Sequence, residues 1–162
     1  MNQIGCFQFL ILCCIGSTNC FAQTGPAGVG SSVNNVLWLK ADAGTSSTVD
    51  SASINLWRDQ SGNNIDVAQS TAIQRPRYRS SIMNGFPSIE FDDVNIAGQN
   101  DFLIAPDNAQ LDNTNGYSFF TVTRMKNLNS SLARCIVSKR NTIDIDEAFM
   151  LFYWTSNYCY LD

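Results

Sequence analysis

The chain has 162 residues, 44% of them apolar and 15% charged. That mix suits one globular domain and is too apolar and too weakly charged for a disordered chain. Ten Lys and Arg stand against fourteen Asp and Glu, for a net charge of −4 and a pI near 4.6. With no long basic run, this balance argues against nucleic acid and anionic membrane surfaces as partners, and the absence of histidine removes His general bases, Ser-His-Asp and Cys-His nucleophiles and every His-ligated metal site.

The first segment reads as an address. CFQFLILCCI, residues 6–15, is a short, largely apolar run followed by the smaller, more polar GSTNCFA. It is about half the length needed to span a bilayer. It fits the central region of a secretory signal over residues 1–22, with cleavage expected between Ala22 and Gln23. Residues 1–5 hold no Lys or Arg, so the α-amino group supplies the only positive charge there. The alternative is a buried N-terminal strand or helix. Asn19 before Cys20 argues against a lipid-modified cysteine, which needs a small residue in front of it. Residues 23–33, rich in Gly and Ser, read as a flexible lead-in, and 34–162 as the folded domain.

Beyond that point no sustained helical period appears. Short apolar or alternating runs recur instead: VLWL (36–39), INLW (54–57), IDVA (65–68), SIEF (88–91) and DFLI (101–104). YSFFTVTRM (117–125) is the longest and the richest in aromatic and β-branched residues; RCIV (134–137), FMLFYW (149–154) and YCYL (158–161) follow. Period two, short length and frequent turn residues predict an all-β chain, a two-sheet sandwich or a barrel. The turns carry their own chemistry. In DQSGNN (59–64), Asp, Ser and Asn side chains can bond their own backbone and Gly62 can take a positive φ. Asn84-Gly85 and Asn115-Gly116 punctuate the runs that follow them.

Three sets of residues admit a sharper reading beside a bland one. FMLFYW is apolar on both faces, so it is either a central strand covered by the rest of the domain or the lining of a groove that sets Tyr153 or Trp154 against a sugar ring. Arg75, Arg77 and Arg79 alternate along one extended face; they are either a solvated edge or a contact for an anionic glycan through guanidinium forks. Of six cysteines, Cys135 and Cys159 lie beyond the signal. They either close one disulfide, which would contribute about 3 kcal/mol in a relaxed geometry, or stay as buried thiols on neighbouring strands. Trp38 and Trp57 sit in alternating patterns and read as core.

The ordered set VLWLKADAG (36–44), LWRDQSGN (56–63), NGFPSIEFD (84–92), DFL (101–103) and IVSK (136–139) resembles the LamG-like, concanavalin A-like jelly-roll domains of large secreted proteins of the Bacteroidetes type. The resemblance runs from about Gly25 to the end. It implies two antiparallel sheets in a jelly roll, a secreted or cell-surface setting, and further domains in a larger parent protein. Family domains usually run longer, and this chain stops inside a strand-like run, so a fragment lacking closing strands is the expectation.

The resemblance also raises two kinds of site. Lectin-like sandwiches often bind calcium through Asp, Asn and backbone oxygens. Asp59 with Ser61 and Asn63, and the acidic loop of Asp92, Asp93, Asn95 and Asp101, are the candidate ligand sets; a self-bonded turn and a polar loop are the plainer readings. Calcium is the one cofactor the pattern admits. Retaining hydrolases of this fold carry E-x-D-x-x-E on one strand, with carboxyls about 5 Å apart. This chain has only Glu90 and Glu147, and the spacing around Asp144, Asp146 and Glu147 fails. No catalytic residue is assigned. The leading expectation is a non-catalytic carbohydrate-binding or adhesive module whose partner is a polysaccharide or glycan, with no membrane span after the signal. A structural spacer or protein-interaction domain comes second, and a glycoside hydrolase remnant third.

Overall fold

A computed structural model describes residues 34–92, 100–112, 116–126, 134–139, 149–153 and 159–161. Regular structure among them is almost all strand: β1 (Leu56–Trp57), β2 (Val67–Ala68), β3 (Arg77–Met83), β4 (Phe86–Glu90), β5 (Arg134–Lys139), β6 (Phe149–Tyr153) and β7 (Cys159–Leu161), with 3₁₀ turns at Ala72–Gln74 and Ala109–Leu111. Every strand pairing is antiparallel. The described residues are therefore all-β, in small sheets of order β1-β2, β3-β4 and β5-β6-β7. No helix among the described residues is long and apolar enough to cross a membrane. Residues 1–33, which hold the expected signal and lead-in, lie outside the described residues, as do Asp93, Asn95, Asp144, Asp146, Glu147 and Trp154.

The chain divides into two units, Met1–Ile104 and Ala105–Asp162. In the first, Ile54 and Ile65 are fully buried, with Pro76, Tyr78 and Val67 beside them in burial. They come from three separate runs, which explains why each run is short: one or two inward residues suffice where several segments converge. The stretch leading into β1 follows β3, with Ile54 N–H bonding Pro76 O at 2.7 Å and Tyr78 N–H bonding Ala52 O at 2.9 Å. Ala68 and Ile104 exchange both backbone bonds at 2.9 Å, adding a bridge to β2.

The β3-β4 hairpin turns on Asn84 and Gly85, with φ of 53° and 84°. Positive φ at both central positions is the turn whose twist matches a hairpin, and Asn-Gly is its preferred sequence. Arg77 opposes Glu90, Tyr78 opposes Ile89 and Arg79 opposes Ser88, with an irregularity before the Met83–Phe86 pair. Arg79 Nε lies 3.2 Å from Glu90 Oε2 on the neighbouring strand.

Two expected strands are not ladder strands. Residues 36–39 run extended, but the N–H of Trp38 bonds a side chain, the carboxylate of Asp59, at 2.9 Å. Residues 117–125, the longest candidate, carry no strand assignment. Period two reports an extended backbone with two unlike faces; it does not report which edge receives hydrogen bonds.

In the second unit β6 is the central strand, paired to β5 through Arg134–Tyr153 and Lys139–Phe149 and to β7 through Leu151–Leu161 and Tyr153–Cys159. All five β6 residues are half-buried, consistent with a strand apolar on both faces. Lys139 pairs with the Asp112 carboxylate.

Candidate functional site

Asp59 is a densely connected polar group among the described residues of the first unit. Oδ1 accepts from Trp38 N–H at 2.9 Å and from Ser61 N–H at 2.8 Å. Oδ2 accepts from the Ser61 hydroxyl at 2.6 Å and from Ile65 N–H at 3.2 Å. Ser61 is fully buried, and its oxygen accepts in turn from Asn63 N–H at 3.2 Å and Asn63 Nδ2 at 3.1 Å. Asn63 Nδ2 also reaches Val36 O at 3.0 Å and Asn35 O at 3.2 Å. Around this turn, Gln60 N–H bonds Trp38 O at 2.8 Å, Arg58 N–H bonds Gly44 O at 2.9 Å, and Trp57 Nε1 donates to Lys40 O at 2.7 Å. The motif at 56–63 therefore clasps the motif at 36–44. Trp38 and Trp57 are half-buried there, and the Lys40 ammonium sits 5.1 Å from the Trp38 ring centroid, within cation–π range.

A carboxylate offers about four lone-pair sites, and four protein donors face those of Asp59, the arrangement of a self-bonded turn. A calcium ion would compete for the same lone pairs. Asp92 and Asp101 come together at the end of β4: Asp92 N–H bonds Asp101 Oδ2 at 2.8 Å, and Asp101 N–H bonds Asp92 O at 3.1 Å. Among the described residues no three carboxylates or thiols gather as metal ligands.

Two carboxylates are shifted in opposite directions. Asp101 is raised, chiefly by burial, with Asp92 and Glu90 adding like charge against the pull of the Asp92 N–H and Arg77. Asp50 is lowered by the Ser80 N–H, the Ser51 hydroxyl and Arg79. A raised carboxyl favours folding in its neutral form. The Asp101 contribution is thus complete below the unfolded value and lost as pH rises through the higher folded value. The Asp50 contribution has the opposite sign: it is present above 3.8 and lost as pH falls through the lower folded value. We expect Asp101→Asn to melt above the wild type at pH 7 and level with it near pH 3, measured by thermal unfolding at both pH values. A gap that is the same at both would remove the ionisation of Asp101 as its cause.

Arg75 and Arg77 do not form a guanidinium pair on one strand. Arg75 precedes β3, and its Nε and Nη2 donate to Gln69 O at 2.9 Å and Ser70 O at 2.6 Å. Its fork holds a backbone loop. Arg77 is exposed on β3 opposite Glu90. Arg79 donates to Ser51 Oγ at 2.6 Å and faces Glu90, so it is matched by a hydroxyl and an acid of the same unit.

Cys135 is an exposed free thiol on β5. Cys159 lies on β7, and β6 runs between them. Two strand spacings are about 9–10 Å, beyond the Cα separation a disulfide spans. Of the two readings offered, the bridge is not formed at Cys135, and buried thiols on neighbouring strands do not fit either, since Cys135 is exposed and β6 separates the two strands.

The aromatic residues of the second unit do gather. Tyr117 and Phe119 meet the Phe149 ring at centroid distances of 4.7 and 4.8 Å, and Tyr117 stacks on Phe119 at 5.8 Å. Farther along β6, the Tyr153 hydroxyl lies 3.2 Å from Thr123 Oγ1. The Tyr117 hydroxyl donates to Leu111 O at 2.9 Å. The odd-numbered residues of 117–123 thus follow the odd-numbered residues of β6, giving a row of rings with tyrosine hydroxyls. Of the two groove residues named from sequence, Tyr153 belongs to this row. Tyr117 and Phe119 are not among the site residues named from sequence; their signal is the alternation in YSFFTVTRM, which reads there only as a strand.

Comparison of the chain with family models, with curated proteins and with solved structures finds no match.

Proposed function

We propose that this protein is a non-catalytic carbohydrate-binding or adhesive module of a secreted or cell-surface protein, built as a LamG-like jelly roll. The observation that carries the reading is the aromatic row of Tyr117, Phe119, Phe149 and Tyr153. Flat rings supply apolar faces for sugar C–H groups, and tyrosine and threonine hydroxyls supply hydrogen bonds at the edge. The antiparallel all-β architecture supports the jelly roll, and the ordered motifs of the sequence support the family. The lack of histidine and the presence of only two glutamates support a module that binds without catalysis.

The test is thermal unfolding of the protein against a panel of neutral and acidic saccharides, with and without calcium. A ligand that binds only the native state at 100 times its Kd adds about 2.7 kcal/mol to stability. A midpoint raised by one glycan, and no longer raised in Tyr153→Ala, is the expected result. A cooperative melt moved by no saccharide would favour a spacer or protein-interaction domain. A shift that persists in Tyr153→Ala would place the glycan elsewhere.

A further inference from the structure

Asn84-Gly85 forms the two-residue loop of the β3-β4 hairpin and is exposed, with nothing within 4 Å of where a Cβ at Gly85 would stand. Among the described residues neither the Asn84 amide nor the Gly85 N–H has a hydrogen-bond partner. An asparagine followed by glycine can react with its own backbone, because without a Cβ the next amide nitrogen approaches the side-chain carbonyl freely. A hairpin turn with ψ near about +30° at its first central residue keeps that nitrogen away from the side chain, so the turn has to open first. The hairpin is weakly tied there. Between the Arg79–Ser88 and Met83–Phe86 pairs, residues 80–82 face Pro87 alone. Pro87 has no N–H to give, and the Ser80 N–H is bonded outside the hairpin, to Asp50 Oδ1 at 2.9 Å. The turn is therefore closed by the Met83–Phe86 pair, and Phe86 is already 70% exposed, so opening it uncovers little apolar surface.

We propose that Asn84 is a site of spontaneous deamidation, converted through a cyclic imide to a mixture of aspartate and isoaspartate. The Gly85 nitrogen bonds to Asn84 Cγ, the Cγ–Nδ2 bond breaks, and Nδ2 leaves as ammonia with the proton from the Gly85 N–H. Water then opens the ring at either carbonyl. Opening at the side-chain carbonyl leaves aspartate in an ordinary chain. Opening at the main-chain carbonyl leaves isoaspartate, in which the side-chain methylene carries the backbone. No electrons are exchanged, and water is the co-reactant. Either product adds a negative charge to a chain of net −4. Isoaspartate also lengthens a loop whose two-residue geometry sets the twist of the hairpin. Asn64 is the contrast in the same unit. It too is exposed with a positive φ, at 58°. The residue after it is the fully buried, β-branched Ile65, whose N–H is bonded to Asp59 Oδ2 at 3.2 Å, so the nitrogen there is both shielded and held.

The experiment is peptide mapping by mass spectrometry of the full chain held for weeks at mildly alkaline pH, folded and in urea, beside Gly85→Ala. Asn84 should convert in the folded chain within tenfold of its rate in urea, with isoaspartate the larger product. Asn64 should stay intact in the folded chain, and Gly85→Ala should slow conversion at Asn84 at least tenfold. The comparison of Asn84 with Asn64 needs no variant, so it holds even if Gly85→Ala folds poorly. A folded chain that stays intact at Asn84 while the urea sample converts would overturn the proposal, as would conversion at Asn115-Gly116, the other Asn-Gly of the chain, with none at Asn84. So would an unchanged rate in Gly85→Ala, or equal conversion of Asn64 and Asn84 in the folded chain.

Discussion

Asp59→Ala will lower the stability of the Met1–Ile104 unit by on the order of 4 kcal/mol. The carboxylate accepts four bonds, from Trp38 N–H, Ser61 N–H, the Ser61 hydroxyl and Ile65 N–H. Hydrogen bonds to a charged acceptor contribute about 1.5–3 kcal/mol each, and a stranded buried donor costs about 1–3 kcal/mol. The four are not additive, because Ser61 is fully buried but its hydroxyl can turn to Val36 O at 3.1 Å, and waters can reach the half-exposed donors. Urea unfolding should show a lower midpoint with an unchanged slope. Asp59→Asn should fall about halfway, since one amide oxygen can keep Trp38 and Ser61 N–H while the NH₂ group faces the Ile65 donor. A loss under about 1 kcal/mol in Asp59→Ala would mean that water replaces the carboxylate and that the hub is not what joins the two motifs. Repeating the melts with calcium separates the two readings of this residue. A wild-type midpoint raised by calcium, with Asp59→Ala unresponsive, would return Asp59 to a metal site.

The residues that carry the family resemblance turn out to be residues that hold segments together. The motif at 56–63 bonds the motif at 36–44 through Asp59, Gln60, Arg58 and Trp57. The motif at 84–92 forms the hairpin turn and β4, and its Asp92 meets Asp101 of the next motif. An ordered set of turn residues is legible in sequence because turn chemistry is local: Asp, Ser, Gly and Asn at these offsets can satisfy few other geometries. The same fact limits what such a set says about function. The polar groups of Asp59, Ser61 and Asn63 in particular are engaged within the turn and with the segment at 35–38, so their presence in sequence reports the turn and not a ligand.

Outside such motifs sequence reading was weakest. β3 was visible only as alternating arginines, because Tyr78 is its one buried residue; a strand that buries so little has no hydrophobic period to detect. Residues 36–39 and 117–125 both alternate, yet the first is held by a side-chain carboxylate and the second packs through its rings without belonging to any of the described ladders. Strand pairing is a property of two segments, and one segment cannot report it. FMLFYW was the informative exception. A run apolar on both faces reads as a central strand, and β6 is the middle strand of its sheet, with all five residues half-buried.

Gly44→Ala should cost about 3 kcal/mol, while Gly85→Ala costs about 1 kcal/mol, although their backbones are alike. Gly44 has φ +80° and Gly85 φ +84°, so both substitutions carry the left-handed penalty of about 1–2 kcal/mol for a residue with a Cβ. They differ in space. A Cβ at Gly85 meets nothing within 4 Å, whereas at Gly44 it lies 2.6 Å from Gln60 Nε2 and 2.8 Å from Arg58 O. The Gln60 amide is the end of a flexible side chain and can withdraw, giving up its 3.0 Å bond to Arg58 O. Arg58 O cannot withdraw so cheaply. Its own N–H is bonded to Gly44 O at 2.9 Å, and the next residue is Asp59, so retreat pulls on the same clasp. Overpacking of this kind typically adds about 1–3 kcal/mol. Each kcal/mol moves the midpoint of a domain of this size by roughly 4–8 °C, so the two variants should melt several degrees apart. Equal melting temperatures would show that the 36–44 segment gives way without strain, and the close approach of Gly44 to Arg58 would then carry no part of the unit's stability.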